Sequence, residues 1–286
     1  MERRGFLGLA AAVATAGLWL PELAEPNDAA SAATSSKPKY PSGALFGLPG
    51  KTRRVAWTVD DGASQQALHN YIDFAHDTGA RLTFFVTSAY GSWRALRREL
   101  LPLVETGQVQ LANHTKTHTA LTKLSGSQIR RELRECEKLI RGDFGVEAAP
   151  LFRPPYGYYD KRVLHEAALV GYDTCVMWYG SLGDAGNTTA KRRLQLARQW
   201  MTAGHLVIAH ANQPTSPADL LQIKRMLDDR HLQTGFPKNL LSLLLTIELP
   251  IYLTMLRVLR VRYLRLLYRK LIERLLPIPQ KRCRCY

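Results

Sequence analysis

Two adjacent carboxylates, Asp60 and Asp61 in Thr58-Val59-Asp60-Asp61-Gly62, stand at the end of a short apolar run, and two imidazoles follow in Asn113-His114-Thr115-Lys116-Thr117-His118. One Asp and two His can fill three positions around a borderline-soft cation and leave a fourth open for water, the arrangement a catalytic zinc needs. The second Asp is then free for proton transfer. Each signal alone is weak. Asp-Asp-Gly is an ordinary turn after a strand, and His at i and i+4, which can share one side of a helical turn, is often only solvated. Two further segments follow in order, Phe152-Arg153-Pro154-Pro155-Tyr156-Gly157 and Val207-Ile208-Ala209-His210. Four such signals in one order are hard to produce by chance.

The set resembles the polysaccharide deacetylases with the NodB homology domain, carbohydrate esterase family 4, whose successive motifs read T-F-D-D-G, H-[ST]-x-x-H, R-x-P-[YF], D-x-x-x-W and L-x-x-H. The resemblance covers roughly residues 53–236, with Val59 for the usual Phe and Val207 for Leu. It implies that Asp60 is the catalytic base and that Asp61, His114 and His118 hold a divalent metal, zinc by the donor types. A metal-bound carboxylate is a poor base, whereas its unbound neighbour can take a proton from activated water. The resemblance further implies that Arg153 holds the charge of Asp60, a bidentate kind of pairing, and that the backbone N–H of Tyr156 faces the oxyanion. His210 would be the general acid, since imidazole titrates near neutrality.

The fourth motif departs from the pattern. In Trp178-Tyr179-Gly180-Ser181-Leu182-Gly183-Asp184-Ala185, Ser181 replaces the first Asp, Asp184 keeps the second, and Ala185 replaces the Trp. The resemblance implies that Asp184 orients His210, and that a wall of the sugar groove is lost. Trp178 or Tyr179 is the aromatic residue available to replace it, although each also suits a packed core.

These residues need a frame that brings distant segments together. Short apolar runs at residues 54–59, 81–86, 109–113, 150–153, 174–178 and 205–209 alternate with helical patterns. Residues 65–78 put Leu68, Tyr71, Ile72 and Ala75 on one stripe, and residues 127–144 do the same with Ile129, Leu133, Cys136 and Ile140. Alternation of this kind predicts an α/β fold with a parallel sheet covered by helices, and roughly 180 residues suffice for one such core. The resemblance implies a distorted (β/α)7 barrel of the NodB type, with His210 at a strand's carboxyl end, where barrel folds gather catalytic groups.

Outside that domain, residues 1–32 have the form of a twin-arginine export signal. Arg3 and Arg4 precede a weakly apolar, Ala-rich run, and Ala30-Ser31-Ala32 offers a cleavage site. An uncleaved membrane tether is the competing reading. Residues 33–52 read as a linker. Within it, Leu45 to Thr52 mimics a P-loop, but Leu45 stands where the first Gly belongs, so nucleotide binding is rejected. Residues 237–286 are Leu- and Arg-rich. The last 52 residues carry 11 Lys and Arg against two acids, so nine of the chain's fifteen net positive charges belong to its end. Such a tail is read either as a membrane-surface contact or as an out-of-frame translation, and nucleic acid is not an expected partner. Cys136 and Cys175 read as buried thiols, and no structural disulfide is expected, a Cys136–Cys175 bond being the open alternative.

The sequence therefore predicts an exported, extracellular or cell-envelope, zinc-dependent deacetylase acting on N-acetylated cell-wall or chitin-like polysaccharides. The alternatives are an esterase removing O-acetyl groups from xylan-type glycans and a catalytically silent wall-binding protein.

Overall fold

The computed structural model describes residues 40–236, and the signal-like segment, the first part of the linker and the basic tail with its expected membrane contact lie outside them. Nine strands and seven α-helices alternate among the described residues: β1 (Gly43–Leu45), β2 (Arg54–Asp61), α1 (Gln65–Thr78), β3 (Leu82–Val86), α2 (Ser92–Ala95), α3 (Arg97–Glu105), β4 (Val109–Asn113), α4 (Gly126–Phe144), β5 (Leu151–Phe152), α5 (Lys161–Ala168), β6 (Thr174–Val176), β7 (Gly180–Ser181), α6 (Ala190–Trp200), β8 (Leu206–His210), α7 (Pro217–Asp229) and β9 (Gln233–Thr234). All strand pairs are parallel, in the order β1-β6-β5-β4-β3-β2-β8-β7, with β9 added beside the start of β2. The alternation of strand and helix patterns predicts the parallel sheet, and the distorted barrel that the family resemblance implies is present, curled as a half-barrel of parallel strands.

Two clusters hold it. The outward residues of β2, Val55, Trp57 and Val59, pack with Leu68, Tyr71, Ile72 and Ala75 of α1, and Ile129, Leu133, Cys136 and Ile140 of α4 join the same core. Both stripes read from the sequence are therefore buried. The inward residues form a smaller plug of Ala56, Phe85, Ala112, Leu151, Val176 and Leu206. Strand side chains alternate faces, so Thr58 and Asp60 continue the inward row of Ala56, and Ile208 and His210 continue that of Leu206. The barrel interior is thus apolar at the base and polar at the carboxyl ends of β2 and β8, whose register sets Asp60 opposite His210.

Helix ends are fixed locally. Ser64 caps α1, Ser125 and Gln128 form a capping box on α4, and Gly79 and Gly145 end those helices in the left-handed conformation. One expectation fails here. The stretch read as a linker contributes β1, which pairs with β6, and buries Leu48 against the inner plug. Its Gly and Pro content disguised three residues of sheet edge. The thiols of Cys136 and Cys175 are free and buried, each pushed up to about 12 chiefly by burial. Cys283 and Cys285 lie outside the described residues. Among the described residues no helix is long and apolar enough to cross a membrane.

Candidate active site

The carboxyl end of β2 turns sharply. Asp61 (φ 77°) and Gly62 (φ 84°) are both left-handed, and a Cβ on Gly62 would lie 2.6 Å from the Trp93 indole. That close approach, as well as the turn, requires glycine. Trp93 Nε1 donates to the Asp61 carbonyl at 3.0 Å, and Ser92 Oγ donates to the Gly62 carbonyl. The turn is thereby pinned by α2, and Asp60 and Asp61 are both almost fully buried.

His114 and His118 come from the segment after β4. The i, i+4 spacing had pointed to a helical turn, but residues 114–118 are an irregular loop in which Thr115 (φ 71°) and His118 (φ 58°) are left-handed. The polar side chains of Asn113, Thr115 and Thr117 offer the backbone alternatives to a helix. Asn113 Oδ1 accepts from the Thr115 amide at 2.9 Å, while its Nδ2 donates to the Leu133 carbonyl and the Tyr172 hydroxyl, both at 2.8 Å. Thr117 is tied to Glu132 of α4. The rings still converge. Nε2 of His114 and of His118 lie 3.3 and 3.1 Å from Asp61 Oδ1, and the three donor atoms lie within 4.8 Å of one another.

Three observations fit this cluster to a cation. His114 Nδ1 is 2.8 Å from the Arg153 carbonyl, which can only accept. In the neutral ring, therefore, Nδ1 carries the hydrogen and Nε2 offers its lone pair to the cluster. Asp61 Oδ1 is buried without a hydrogen-bond donor among the described residues, whereas Oδ2 accepts from Asn212 Nδ2 at 2.6 Å. Burial pushes the Asp61 carboxyl up, but the two imidazoles outweigh it and hold the group well below the usual carboxylate range. The donor set is one carboxylate and two imidazoles, a set suited to zinc with open coordination positions.

Asp60 is arranged differently. Its Oδ1 accepts from Arg153 Nη1 at 2.5 Å, and its Oδ2 is 3.6 Å from His114 Nε2. The pair is not the bidentate fork expected of it. Arg153 is fully buried, and its other contacts go to the Thr58 hydroxyl (Nη1, 2.9 Å), the Val176 carbonyl (Nε, 2.9 Å) and the Met177 carbonyl (Nη2, 3.0 Å). The guanidinium also lies 4.0 Å from the centre of the Phe85 ring. Because Thr58 in turn donates to the Val207 carbonyl, Arg153 ties together the walls formed by β2, β8 and the end of β6. Its donors serve the barrel as well as the carboxylate, which explains the single bond to Asp60.

On the opposite wall His210 Nδ1 faces Asp184 Oδ1 at 3.1 Å. Burial pulls the imidazole pKa down, yet Asp184, then Asp60 and Asp61, raise it above its ordinary 6.5. A cleft of about 410 Å³ joins both walls, lined by Asp60, Asp61, His114, His118 and His210 together with Tyr156, Trp178, Ser181, Ala185, Ile208 and Asn212. Tyr156 (φ 60°) is largely exposed at the rim and lies edge-on to the His118 ring, with centroids 4.7 Å apart. Of the two aromatic replacements considered for the missing Trp, Trp178 lines the cleft. Tyr179 packs instead against His205 and Trp200.

Asp60, Asp61, His114, His118, Tyr156 and His210 thus line one cleft, and Arg153 and Asp184 reach it through Asp60 and His210. Sequence reasoning missed Asn212 and the structural part of Asn113. The only signal for Asn212 was its place two residues after His210. Asn212 holds the free oxygen of Asp61 so that Oδ1 points at the imidazoles. Replacing it by Leu is expected to weaken zinc affinity about 10- to 100-fold, measured by competition against a chromogenic chelator, with thermal unfolding of the metal-free chain little changed.

Comparisons with known proteins agree with this fold. Residues 48–175 match the polysaccharide deacetylase family model. An uncharacterized protein of Streptomyces coelicolor is 29% identical over 65% of this chain and 72% of its own length. The peptidoglycan-N-acetylglucosamine deacetylase PgdA of Listeria monocytogenes is 27% identical over 59% of this chain, but the alignment spans only 34% of that enzyme. Among solved structures, a family 4 carbohydrate esterase from Streptomyces lividans in complex with acetate is 25% identical, covering 65% of this chain and 94% of that one, with a TM-score of 0.57. A family 4 pseudoenzyme from Bacillus anthracis shares the fold at 20% identity, covering 72% of this chain and 70% of that one, with a TM-score of 0.60. The chain carries a polysaccharide deacetylase domain, with relatives and structural neighbours in carbohydrate esterase family 4, the NodB-like class of hydrolases. The family-model match ends before Asp184 and His210, so their pairing rests on the geometry described above.

Proposed function

We propose that this chain is an exported, zinc-dependent deacetylase that hydrolyses N-acetyl groups of cell-wall or chitin-like glycans. One observation carries the reading: a carboxylate paired with a buried arginine stands between a convergent Asp-His-His cluster and a carboxylate-backed imidazole, all in one cleft. The relative from Listeria, a peptidoglycan-N-acetylglucosamine deacetylase, supports the substrate class. The signal-like amino end supports export.

Asp61, His114 and His118 would hold the cation, which when bound polarises the acetyl carbonyl and a water molecule. Asp60 removes the proton from that water through Oδ2, since Oδ1 is committed to Arg153. Water oxygen bonds to the acetyl carbon, and the Tyr156 amide donates to the carbonyl oxygen as it gains charge. His210, held by Asp184 in the protonated form that its raised pKa favours, gives its proton to the sugar nitrogen as the C–N bond breaks. Acetate and the free amino sugar leave.

The test is acetate release by the zinc-loaded chain from N-acetylglucosamine oligomers, peptidoglycan and acetylated xylan. Release from either of the first two, lost on chelation and restored by zinc, is the expected result. Release from xylan alone would make the protein an O-acetyl esterase. No release from any of the three by folded, zinc-bound chain would leave a binding protein on this fold.

A further inference from the structure

Helix α4 touches the loop that carries the two imidazoles, or its support, at three places. The Leu133 carbonyl accepts from Asn113 Nδ2 at 2.8 Å. The Cys136 thiol donates to the Val86 carbonyl at 3.1 Å, the same oxygen that accepts from the His114 amide at 2.9 Å. Glu132, one turn before Cys136, accepts from the Thr117 amide with Oε2 at 2.8 Å and from the Thr117 hydroxyl with Oε1 at 3.0 Å. The helix is a firm support, because its start is closed by the capping box and its stripe of Ile129, Leu133, Cys136 and Ile140 is buried.

The two imidazoles are held unequally. His114 follows β4 directly, with its amide on Val86 and its Nδ1 on the Arg153 carbonyl. The next two carbonyls, of Thr115 and Lys116, accept from the amides of Ser88 and Ala89 at 3.2 and 2.8 Å. His118 lies further along the loop in a left-handed conformation, and its own amide donates to Thr115 Oγ1 at 3.2 Å, inside the loop. Among the described residues, the hydrogen bonds that leave residues 117–120 for another element end on Glu132, the approach of the His118 ring to Asp61 apart. Glu135 and Glu137 of the same helix pair with Lys138 and Arg141, whereas Glu132 has both oxygens on Thr117.

A structural account would make Glu132 a staple that adds stability to a surface loop. Thr117 is exposed and Glu132 half-buried, so water can replace either bond and the net gain to folding is small. What the two bonds supply is restraint on the residue next to His118, whose left-handed backbone must be enforced by its surroundings. Partners one step behind a metal ligand set its orientation and hence the affinity of the site. We propose that Glu132 is a positioning residue for His118, holding the loop so that its imidazole meets Asp61 and His114 in the geometry a cation requires. The inference rests on the reading of Asp61, His114 and His118 as the zinc site.

The test compares Glu132→Ala, Glu132→Gln and Glu135→Ala in the full chain. Zinc affinity is measured by competition against a chromogenic chelator, the visible spectrum of the cobalt(II) form reports ligand geometry, and exchange of the Thr117 amide and Tm are measured without metal. Glu132→Ala is expected to lose zinc affinity about tenfold, to alter the cobalt spectrum, and to speed exchange of the Thr117 amide about fivefold, the worth of one ordinary hydrogen bond, with Tm little changed. Glu132→Gln keeps an oxygen for the Thr117 amide and an NH2 for its hydroxyl, so it should restore most of the affinity without the charge. Glu135→Ala removes an equal charge from the same helix and leaves the loop bonds in place, and its affinity should stay within about twofold of wild type.

An unchanged affinity in Glu132→Ala would overturn the proposal. Equal losses in all three variants would do so too, since charge and not position would then be the cause. A large fall in the metal-free Tm of Glu132→Ala would make the residue a staple instead. A wild-type chain that takes up no zinc would fail the metal reading itself, and the Thr117 amide exchange would still decide separately whether Glu132 holds the loop.

Discussion

An Asp60→Asn chain is expected to lose acetate release by about 10²- to 10⁴-fold and still bind zinc as the wild type does. The substitution is nearly isosteric, and the amide oxygen can keep accepting from Arg153 in the place of Oδ1. What it removes is the lone pair on Oδ2 that takes the proton. The cation donors are a separate set, since Asp61, His114 and His118 converge on one another and Asp60 is 3.6 Å from the nearest imidazole nitrogen. Acetate assay and zinc titration on the same preparation check both halves. Activity above about a tenth of wild type would place the base elsewhere, given the range a general base contributes. Loss of zinc would make Asp60 a ligand.

Arg153→Met should be the most damaging single change to folding. Removing one partner of a buried ion pair leaves the other charge uncompensated, at a cost of about 3–5 kcal/mol. Here it also strips donors from the carbonyls of Val176 and Met177 and from the Thr58 hydroxyl. Burial lowers the guanidinium pKa, and the charge of Asp60 counters that, so the two groups depend on each other. Urea unfolding should therefore show a large drop in midpoint, and adding Asp60→Asn to Arg153→Met should recover part of it, because no carboxylate is then stranded. Strict additivity of the two changes would show that the pair is not energetically coupled.

Much of this arrangement was legible from particular residues. The apolar runs located β2 and β4 because strands buried on both faces read as continuous hydrophobic stretches, and the α1 stripe was legible because Leu68, Tyr71, Ile72 and Ala75 recur at helical spacing. The metal cluster was readable from residue type. The loop holding the two imidazoles was not, because i, i+4 spacing is common to a helical turn and to a tight irregular segment, and the choice rests on what Asn113 bonds across the barrel. Strand β1 escaped because three residues paired at an edge leave no periodicity. Asn212 escaped for a related reason: it works through one partner far along the chain, Asp61, and such pairing leaves no local pattern. Trp178 and Tyr179 were equivalent in sequence. Only the end of β6 two residues earlier, and the packing of Tyr179 on Trp200, sends one into the cleft and the other away.

Among the described residues, four of the five non-glycine residues with left-handed backbones, Asp61, Thr115, His118 and Tyr156, lie in the segments that supply the cleft. Each holds a conformation that costs about 1–3 kcal/mol where surrounding structure must enforce it, and glycine would adopt the same conformation with little penalty. A laboratory selection for heat resistance alone would thus tend to accumulate its easiest gains at these four positions and return a sturdier, inert barrel.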